Sequence, residues 1–367
     1  MKVLHLSSED SWRGGEQQIV YLVEESINQG VDPVIGLKEG SVIQDYCENN
    51  GLPYFTLPFK SAYDFASARE VIKYCKEHSV DLIQTHSSKG HTLAVIAGLI
   101  GLDIPQILTR RVDFPVKDNW FSKFKYNYSK IARIICVSDV IKEMTSKDIK
   151  EKEKLVTIHD GVDLKKFDEF LESNWLRETY EIPKDHVIIG NTSAISYQKD
   201  YHTFTDTVEL ILKERDDVHF FIVGDGPQRE EIEEYISDKK LTEKITMTGF
   251  LKNIREVLPS IDLFLFTSQT EGLGTTLLDA MVAQIPIVAT AAGGVKEIIS
   301  HEENGLLYPV KDPNGLKEGI VRLLESPELR TSLISKGLEK VKNYSKEITA
   351  QQTIEIYTQV LNEKAAQ

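Results

Sequence analysis

The sequence predicts an α/β protein made of two doubly wound, Rossmann-like domains in series. Short apolar or β-branched runs alternate with helical stretches from the N-terminus onward, and the same alternation starts again after Asp185. Such alternation is typical of parallel sheets that carry helices on both faces. A length of 367 residues also exceeds what one hydrophobic core commonly supports and suits two domains.

The first series of elements predicts an N-terminal domain over residues 1–170. Strands are predicted at KVLHLS, VDPVIGL, DLIQTH, PQILTR and RIICVS, and helices at about 16–29 and 43–49 follow the first two. His159-Asp160-Gly161 then predicts a turn. We expect the linker between about residues 160 and 182.

The second series predicts a C-terminal domain over residues 171–349. Its strands are predicted at HVIIGNTS, VHFFIVGD, KITMTGF, DLFLFTS and IPIVATA. A last helix, at about residues 350–367, is expected to pack back on the first domain. Two such domains facing a central cleft would bring together the carboxyl ends of their strands, where open parallel sheets bind ligands.

Composition excludes several classes of protein. The net charge of −14 argues against nucleic acid as a partner, because phosphate binding needs a concentrated basic surface. Apolar runs stay below the roughly 18 to 20 residues that a membrane span requires. The three cysteines are far apart and form no CxxC pair, so they predict neither a disulfide framework nor a zinc site. We expect a cytoplasmic protein without a bound metal.

Three loops follow predicted strands, and the first two can each be interpreted in two ways. Gly14-Gly15 in SWRGGEQQ would let backbone amides approach an anion, or would simply form a tight loop. Lys199 in ISYQKDYHTF could neutralise a diphosphate, although a lone lysine is more often a solvated surface residue. The Gly-Asp-Gly-Pro turn of FFIVGDGPQREEI is interpreted as mainly structural, since it provides good helix-capping chemistry.

A fourth loop, in DLFLFTSQTEGLGTTLLDAM, is the most informative. Its glycines expose backbone amides just before a helix begins at Thr275-Thr276, which is an anion-binding arrangement. Glu271 beside this loop would repel a phosphate but could hold the hydroxyls of a sugar attached to it. Asp279, two turns into the helix, could accept hydrogen bonds from a ribose diol. The segment is therefore predicted to hold a sugar nucleotide.

These motifs resemble those of the GT4-type retaining glycosyltransferases, which have the GT-B fold. The matching segments run through most of the chain and are WRGGEQQ, VTIHDGVDLKKF, FIVGDGPQREEIE, ITMTGFLKNIREVLPSIDLFLFTS, EGLGTTLLDAMVAQIPIVATAAGGVKEII and NGLLYPVKDPNGL. The resemblance implies two Rossmann-like domains facing a central cleft, a UDP- or GDP-sugar as co-substrate, no other cofactor and no metal.

The resemblance also implies roles for individual residues. Glu271 would contact the transferred sugar, the amides of residues 273–276 its hydroxyls and the diphosphate, and Asp279 the ribose. The expected donor-binding residues are Gly14, Gly15, Lys199, Phe250, Leu251, Glu271, Gly272, Leu273, Gly274, Thr275, Thr276 and Asp279. Phe250 and Leu251 would border the nucleobase. Lys199, the loop amides and the Gly14-Gly15 turn would stabilise the leaving diphosphate.

The chain departs from the family pattern at three places. Asp279 stands where the second carboxylate of the signature is usually a glutamate, and the arginine expected shortly before Lys199 is absent. A histidine that often closes the strand PQILTRR is replaced by Arg110-Arg111. We therefore add Arg110 and Arg111 to Glu271 and Lys199 as candidate catalytic residues, on the hypothesis that one arginine supplies charge to the donor or acceptor.

The first domain is expected to bind the acceptor. Residues 110–133 contain seven Arg or Lys among several aromatic residues, which suits an anionic membrane surface or a lipid-linked acceptor. A helix with inward aromatics and solvated lysines would give the same pattern. The polar residues after strand DLIQTH are candidates for the acceptor side: His86, Ser88, Lys89 and His91.

The predicted function is retaining transfer of a sugar from a nucleotide-sugar donor to a glycan or lipid-linked acceptor. The family's habits imply bacterial cell-surface polysaccharide or lipopolysaccharide synthesis, and peripheral contact with the inner face of the membrane. Two alternatives remain open from the sequence. They are a sugar-nucleotide epimerase of the same fold and a non-catalytic sugar-nucleotide-binding subunit.

Overall fold

The computed structural model describes residues 1–61 and 64–366, which form two compact units. The first unit contains residues 1–161 together with the C-terminal segment from Lys346, and the second contains residues 162–345. The sequence analysis put these divides at 170/171 and 349/350. The first divide lies earlier because the Val162 amide donates to the Tyr344 carbonyl at 2.8 Å, which ties residue 162 to the second unit.

The first unit is built on a seven-stranded, all-parallel sheet. Its strands are β1 Lys2–Leu6, β2 Asp32–Lys38, β3 Tyr54–Leu57, β4 Leu82–Thr85, β5 Gln106–Arg110, β6 Ile131–Cys136 and β7 Leu155–Thr157. Its helices are α1 Gly14–Asn28, α2 Val42–Asn50, α3 Phe65–Glu77, α4 Ser88–Leu99, α5 Trp120–Tyr126, α6 Asp139–Ser146 and, from the end of the chain, α15 Lys346–Ala365.

The strand order of this sheet is β3-β2-β1-β4-β5-β6-β7. Its central strands β2, β1, β4 and β5 are largely buried on both faces, which explains their mostly apolar sequences. The edge strands β3 and β7 are partly buried. Helix α15 covers part of one face, where Tyr357 and Val360 pack with Val3, Leu82 and Ile107. The chain order reverses between β1 and β4, and such a reversal opens a crevice at the carboxyl ends of the two strands. We call this place the first switch point.

The second unit repeats the design with a six-stranded, all-parallel sheet. Its strands are β8 Val187–Thr192, β9 Val218–Val223, β10 Ile245–Gly249, β11 Leu263–Phe266, β12 Ile287–Thr290 and β13 Leu306–Tyr308. Its helices are α7 Trp175–Thr179, α8 Tyr201–Leu212, α9 Arg229–Asp238, α10 Ile254–Val257, α11 Thr275–Val282, α12 Val295–Ile298, α13 Pro313–Glu325 and α14 Pro327–Val341.

The strand order here is β10-β9-β8-β11-β12-β13. The reversal between β8 and β11 defines a second switch point by the same rule. Three buried phenylalanines, Phe204, Phe220 and Phe264, lie within the core of this unit. Within the described residues, none of the helices combines the length and apolar composition that crossing a bilayer would require.

Candidate functional site

The second switch point carries an ion pair between two residues that the sequence analysis singled out. Lys199 follows β8 and Glu271 follows β11, and the Lys199 Nζ lies 3.0 and 2.9 Å from the two carboxylate oxygens of Glu271. Their side chains are 17% and 14% exposed, so a ligand can reach them. The pair brings together residues 72 positions apart, because parallel strands end at one edge of the sheet.

Local contacts hold both members of this pair. The Thr267 hydroxyl donates to the Lys199 carbonyl at 2.9 Å, and the Gln269 amide donates to the Gln198 carbonyl at 2.8 Å. The Lys199 ammonium also lies 5.3 Å from the centre of the Phe266 ring, within cation–π range. The loop that carries Lys199 is thus fastened to the loop that carries Glu271.

The glycine pair Gly293-Gly294, which follows β12, fixes the Glu271 loop from the other side. Gly294 donates its amide to the Glu271 carbonyl at 3.1 Å. A Cβ at Gly293 would lie 2.1 Å from the Glu271 carbonyl oxygen, and one at Gly294 would lie 2.2 Å from that of Gly272. Only glycine allows this approach, so Gly293-Gly294 position Glu271. The sequence analysis quoted this pair without assigning that role.

Helix α11 presents free donors beside Glu271. Gly274, at φ +94°, precedes its first turn, and this helix start has no side-chain cap. The Leu277 amide donates to the Gly274 carbonyl at 2.9 Å, which leaves the amides of Thr275 and Thr276 available to an anion. The Thr276 hydroxyl is buried and has no hydrogen-bond partner among the described residues. The predicted donor residues 271–276 thus form one continuous polar loop and helix start.

Asp279 lies one turn further along α11 and has a partner that the sequence analysis missed. Lys166 donates to both of its carboxylate oxygens, at 2.9 and 3.0 Å, and the two side chains are 16% and 21% exposed. The Lys166 carbonyl accepts from Arg255 Nε, which fastens this segment to α10. The only available signal was the basic run in VDLKKF, 113 residues from Asp279.

The nucleobase candidates follow a conformationally special glycine. Gly249 ends β10 at φ +74°, and its carbonyl accepts from Gly224 at 3.0 Å. Phe250 is 64% exposed and Leu251 is half-buried.

A Cβ at Gly224 would lie 2.0 Å from the Ser193 carbonyl oxygen. The Gly-Asp-Gly-Pro turn therefore packs tightly against the loop after β8, as a structural turn would.

Helix α1 of the first unit begins at the predicted glycine pair. Gly14 is exposed and Gly15 is half-buried. A Cβ at Gly15 would meet no heavy atom of the described residues within 4 Å, so packing within this unit does not require glycine there. The buried Glu16 accepts from the Arg13 amide at 3.0 Å, and burial raises the pKa of its carboxyl group.

The first switch point carries a chain of hydrogen bonds that ends in an ion pair between Arg111 and Asp160. His5 Nδ1 lies 3.1 Å from His86 Nε2, His86 Nδ1 lies 3.2 Å from Arg111 Nη1, and Arg111 Nε donates to both oxygens of Asp160 at 3.1 Å. Arginine only donates, so His86 Nδ1 must accept and its Nε2 must carry the proton. The two histidine tautomers follow from this direction.

Burial governs the protonation of these groups. It lowers the pKa of His5 to about 3 and, together with the Arg111 charge, lowers the pKa of His86 well below its usual value. Burial also raises the pKa of Asp160, although the Arg111 charge opposes that shift. Both lone pairs that the histidines could offer are used within the chain of bonds, so His86 positions Arg111 and is not a free base.

Arg110 and the remaining acceptor-side candidates form a separate cluster around α5. Arg110 is buried and donates to the Tyr126 hydroxyl and the Phe114 carbonyl. His91 is also buried, and its Nε2 lies 3.1 Å from the Lys125 carbonyl. Ser88 and Lys89 are exposed at the start of α4, with the Ser87 side chain as its cap. The two arginines thus belong to different networks.

Comparisons with known proteins agree over both units. The sequence profile of glycosyl transferases group 1 matches residues 173–340, and that of glycosyltransferase family 4 matches residues 12–166. HepE of Anabaena, solved in complex with UDP-glucose, has a TM-score of 0.86 at 20% identity, covering 98% of this chain and all of that one. The chain therefore has the fold of the GT-B glycosyltransferases, as the sequence predicted.

Two characterised relatives match most of the chain. A 2-deoxystreptamine N-acetyl-D-glucosaminyltransferase of Niallia circulans is 26% identical, covering 87% of this chain and 91% of the relative. A UDP-Gal:alpha-D-GlcNAc-diphosphoundecaprenol alpha-1,3-galactosyltransferase of Escherichia coli is 23% identical over 82% of each chain. The chain belongs to the glycosyltransferases: its first half matches the family 4 profile and its second half matches the group 1 profile.

Proposed function

We propose that the chain is a retaining glycosyltransferase that moves a sugar from a UDP- or GDP-sugar to a glycan or lipid-linked acceptor. The observation that carries the donor part is the Lys199–Glu271 pair beside the uncapped start of α11. A carboxylate there suits sugar hydroxyls, and the neighbouring ammonium and amides suit a diphosphate.

In this mechanism each donor-site residue has one task. Glu271 holds hydroxyls of the sugar with the lone pairs that Lys199 leaves unused. Lys199 and the first amides of α11 neutralise charge as the bond from the anomeric carbon to the diphosphate breaks. The acceptor oxygen bonds to the same face of that carbon, and its proton passes to a diphosphate oxygen. Asp279, held by Lys166, accepts from the ribose hydroxyls.

The names of the two relatives support donors and acceptors of these classes. The Escherichia coli relative is named for UDP-galactose and a lipid diphosphate, whereas the Niallia circulans relative is named for 2-deoxystreptamine. We favour the lipid-linked or glycan acceptor, in bacterial cell-surface polysaccharide or lipopolysaccharide synthesis. Part of residues 110–133 supports this choice, because Trp120 is 77% and Phe114 51% exposed beside basic residues.

The exposed aromatic residues also support peripheral contact with the inner face of an anionic membrane. Trp120 stacks on Phe124, with ring centres 5.5 Å apart, and remains largely in solvent. Co-sedimentation with vesicles that contain an anionic lipid should therefore fall when Trp120 is changed to Ser. Binding that is unaffected by this substitution would contradict the membrane contact.

The donor assignment is tested by thermal shift with UDP, GDP, ADP, CMP and their sugar conjugates, since a ligand of the folded state raises its melting temperature. We expect one nucleotide family to stabilise the protein. Glu271→Ala should weaken the sugar conjugate more than the bare diphosphate. The anomeric configuration of the product, measured by NMR, tests retention, and an inverted product would contradict it.

Metal independence is part of the same proposal. Lys199 and Lys166 already compensate Glu271 and Asp279, so these carboxylates need no metal ion for charge balance. Among the described residues, no group of three His, Cys, Asp or Glu side chains is arranged to hold a metal. Turnover should therefore survive treatment with EDTA, and recovery of lost turnover by Mg²⁺ would refute this part.

A further inference from the structure

Two buried cations lie together at the carboxyl end of β5. Arg110 is 3% and Lys125 is 7% exposed. Over residues 1–61 and 64–366, neither side chain forms an ion pair with a carboxylate. Among these residues Arg110 donates to a phenol and a backbone carbonyl, those of Tyr126 and Phe114. Buried charges in proteins are normally paired, so this arrangement lacks an anion.

Within the described part of the chain, the ammonium of Lys125 has neutral partners. Its Nζ lies 3.4 and 3.5 Å from the carbonyl and hydroxyl oxygens of Ser88 and 3.2 Å from the Thr92 hydroxyl. These oxygens belong to the first turns of α4, a helix of 12 residues whose N-terminus carries partial positive charge. The lysine therefore adds charge of the same sign to the helix start.

Neighbouring charges increase the imbalance. Burial, followed by the charges of Lys117 and Arg110, lowers the pKa of Lys125 to about 8. The guanidinium of Arg110 has one unused hydrogen-bond donor, because its Nε is buried without a partner among the described residues. Ser88 and Lys89 are exposed at the edge of the cluster. They give a ligand access and further donors.

We propose that Arg110, Lys125 and the first turn of α4 form a binding site for an anionic group of the acceptor, with a phosphate as the best match. The site rests on the proposed function, since it specifies the class of acceptor. His91 supports it by holding the Lys125 carbonyl, and Tyr126 by orienting Arg110. An acceptor that carries a phosphate supplies the charge that the protein itself lacks.

The first test is titration with sulfate, which keeps its double negative charge throughout the neutral range. Lys125→Met preserves the aliphatic stem and removes the charge. We expect it to weaken sulfate about tenfold, the change that about 1.4 kcal/mol produces. Lys123→Met is the matched control, because Lys123 lies on the same helix, is half exposed and pairs with Asp118. Its sulfate affinity should equal that of the unchanged protein.

A second measurement starts from the unchanged protein. Sulfate affinity of the unchanged protein should fall as the pH rises through about 8, where Lys125 loses its proton. The neighbouring charges that act on Lys125 are those of Lys117 and Arg110. His91 and Tyr126 do not titrate in this range, because burial lowers the pKa of the first and raises that of the second. The step should disappear in Lys125→Met, which separates Lys125 from Lys117.

Competition then identifies the source of the phosphate. Displacement of sulfate by glycerol 3-phosphate, with glycerol as the control, supports a soluble acceptor phosphate. Displacement only by phosphatidylglycerol vesicles, with phosphatidylcholine vesicles as the control, supports a lipid headgroup. Equal sulfate affinity in the unchanged protein and Lys125→Met overturns the site. Sulfate would then be an adventitious ion only. UDP binding is measured separately, so failure of the donor assignment would be seen independently.

Discussion

The two switch points occupy the same place in their sheets but carry different chemistry. At the second, Lys199 and Glu271 form an ion pair that remains within reach of solvent. At the first, His5, His86 and Arg111 form a chain of hydrogen bonds that ends on the buried Asp160. Arg111 is as exposed as Lys199, at 18% against 17%, but its partners His5 and Asp160 in this network are buried. The pair at the second switch point can exchange partners with a ligand, whereas the first network holds buried polar groups whose pairing contributes to stability.

This difference predicts where substitutions act. Changes at the second switch point should reduce turnover and leave the fold intact, because the loops there are fastened by backbone contacts such as Gly294 to Glu271. Changes at the first should reduce stability, because they leave buried groups unpaired. Four predictions test the contrast.

The largest effect is expected from Lys199→Met. It should lower kcat by roughly 100- to 1000-fold, the loss seen when one preorganised donor to a transition-state charge is removed. The melting temperature should change little. Lys184→Met, at an exposed lysine of the same unit, is the control and should retain normal turnover.

A double-mutant cycle with Glu271→Gln sharpens this prediction. The two residues are in contact, so the loss in Lys199→Met/Glu271→Gln should be much smaller than the product of the single losses. Strictly multiplicative losses would mean that the two residues act separately, and would remove the ion pair from the mechanism.

The second effect is on stability. Arg111→Met should lower the free energy of unfolding by about 3 kcal/mol, because the buried Asp160 loses its partner. Asp160→Asn in the same chain should recover part of that loss, since it removes the uncompensated charge. Denaturant unfolding measures both. An unchanged unfolding midpoint in Arg111→Met would contradict the contrast between the switch points. Near-normal turnover of the same variant would exclude Arg111 as a source of charge for the reaction.

The features that could be predicted from the sequence are those that depend on the order of residues within short segments. The alternation of strands and helices gave the two sheets, and because parallel strands end at one edge, the residues after β8 and β11 could be assigned to one site. The partner of Asp279 could not be predicted in this way. Lys166 lies in the predicted linker, 113 residues before Asp279. The spacing of residues along the chain does not predict contacts between such distant segments.

The same reason applies within residues 110–133. Their mixed pattern left open whether the lysines of α5 are solvated, and the structure divides them. Lys123 is half exposed and pairs with Asp118, whereas Lys125 is buried against α4. The neighbours of Lys125 come from residues 33 to 37 positions earlier, so periodicity within α5 alone could not distinguish the two.

The third effect concerns Lys166. Lys166→Met should weaken UDP or GDP about fivefold to tenfold with little change in kcat, because the uncompensated Asp279 would then repel the diphosphate. Lys165→Met is the matched control, because Lys165 lies next to Lys166 in the sequence and is exposed. Calorimetric titration with the bare nucleotide gives the comparison. Equal affinities in the two variants would show that Lys166 is only a surface partner of Asp279.

The smallest effect is the pH dependence of stability at the first switch point. The folded-state pKa of His5 is about 3, below its ordinary 6.5, so the unfolded chain binds more protons between these values. Its contribution to stability is therefore present above about pH 6.5 and is lost as the pH falls. Asp160, whose pKa is raised, acts in the opposite direction.

The His5 contribution is isolated by His5→Asn, which keeps a side-chain hydrogen-bonding group but does not titrate. Between pH 7 and 5.5 the unchanged protein should lose about 1 kcal/mol more than this variant in denaturant unfolding. Parallel losses would mean that His5 is not kept neutral, and the proton positions assigned from Arg111 through His86 would have to be reversed.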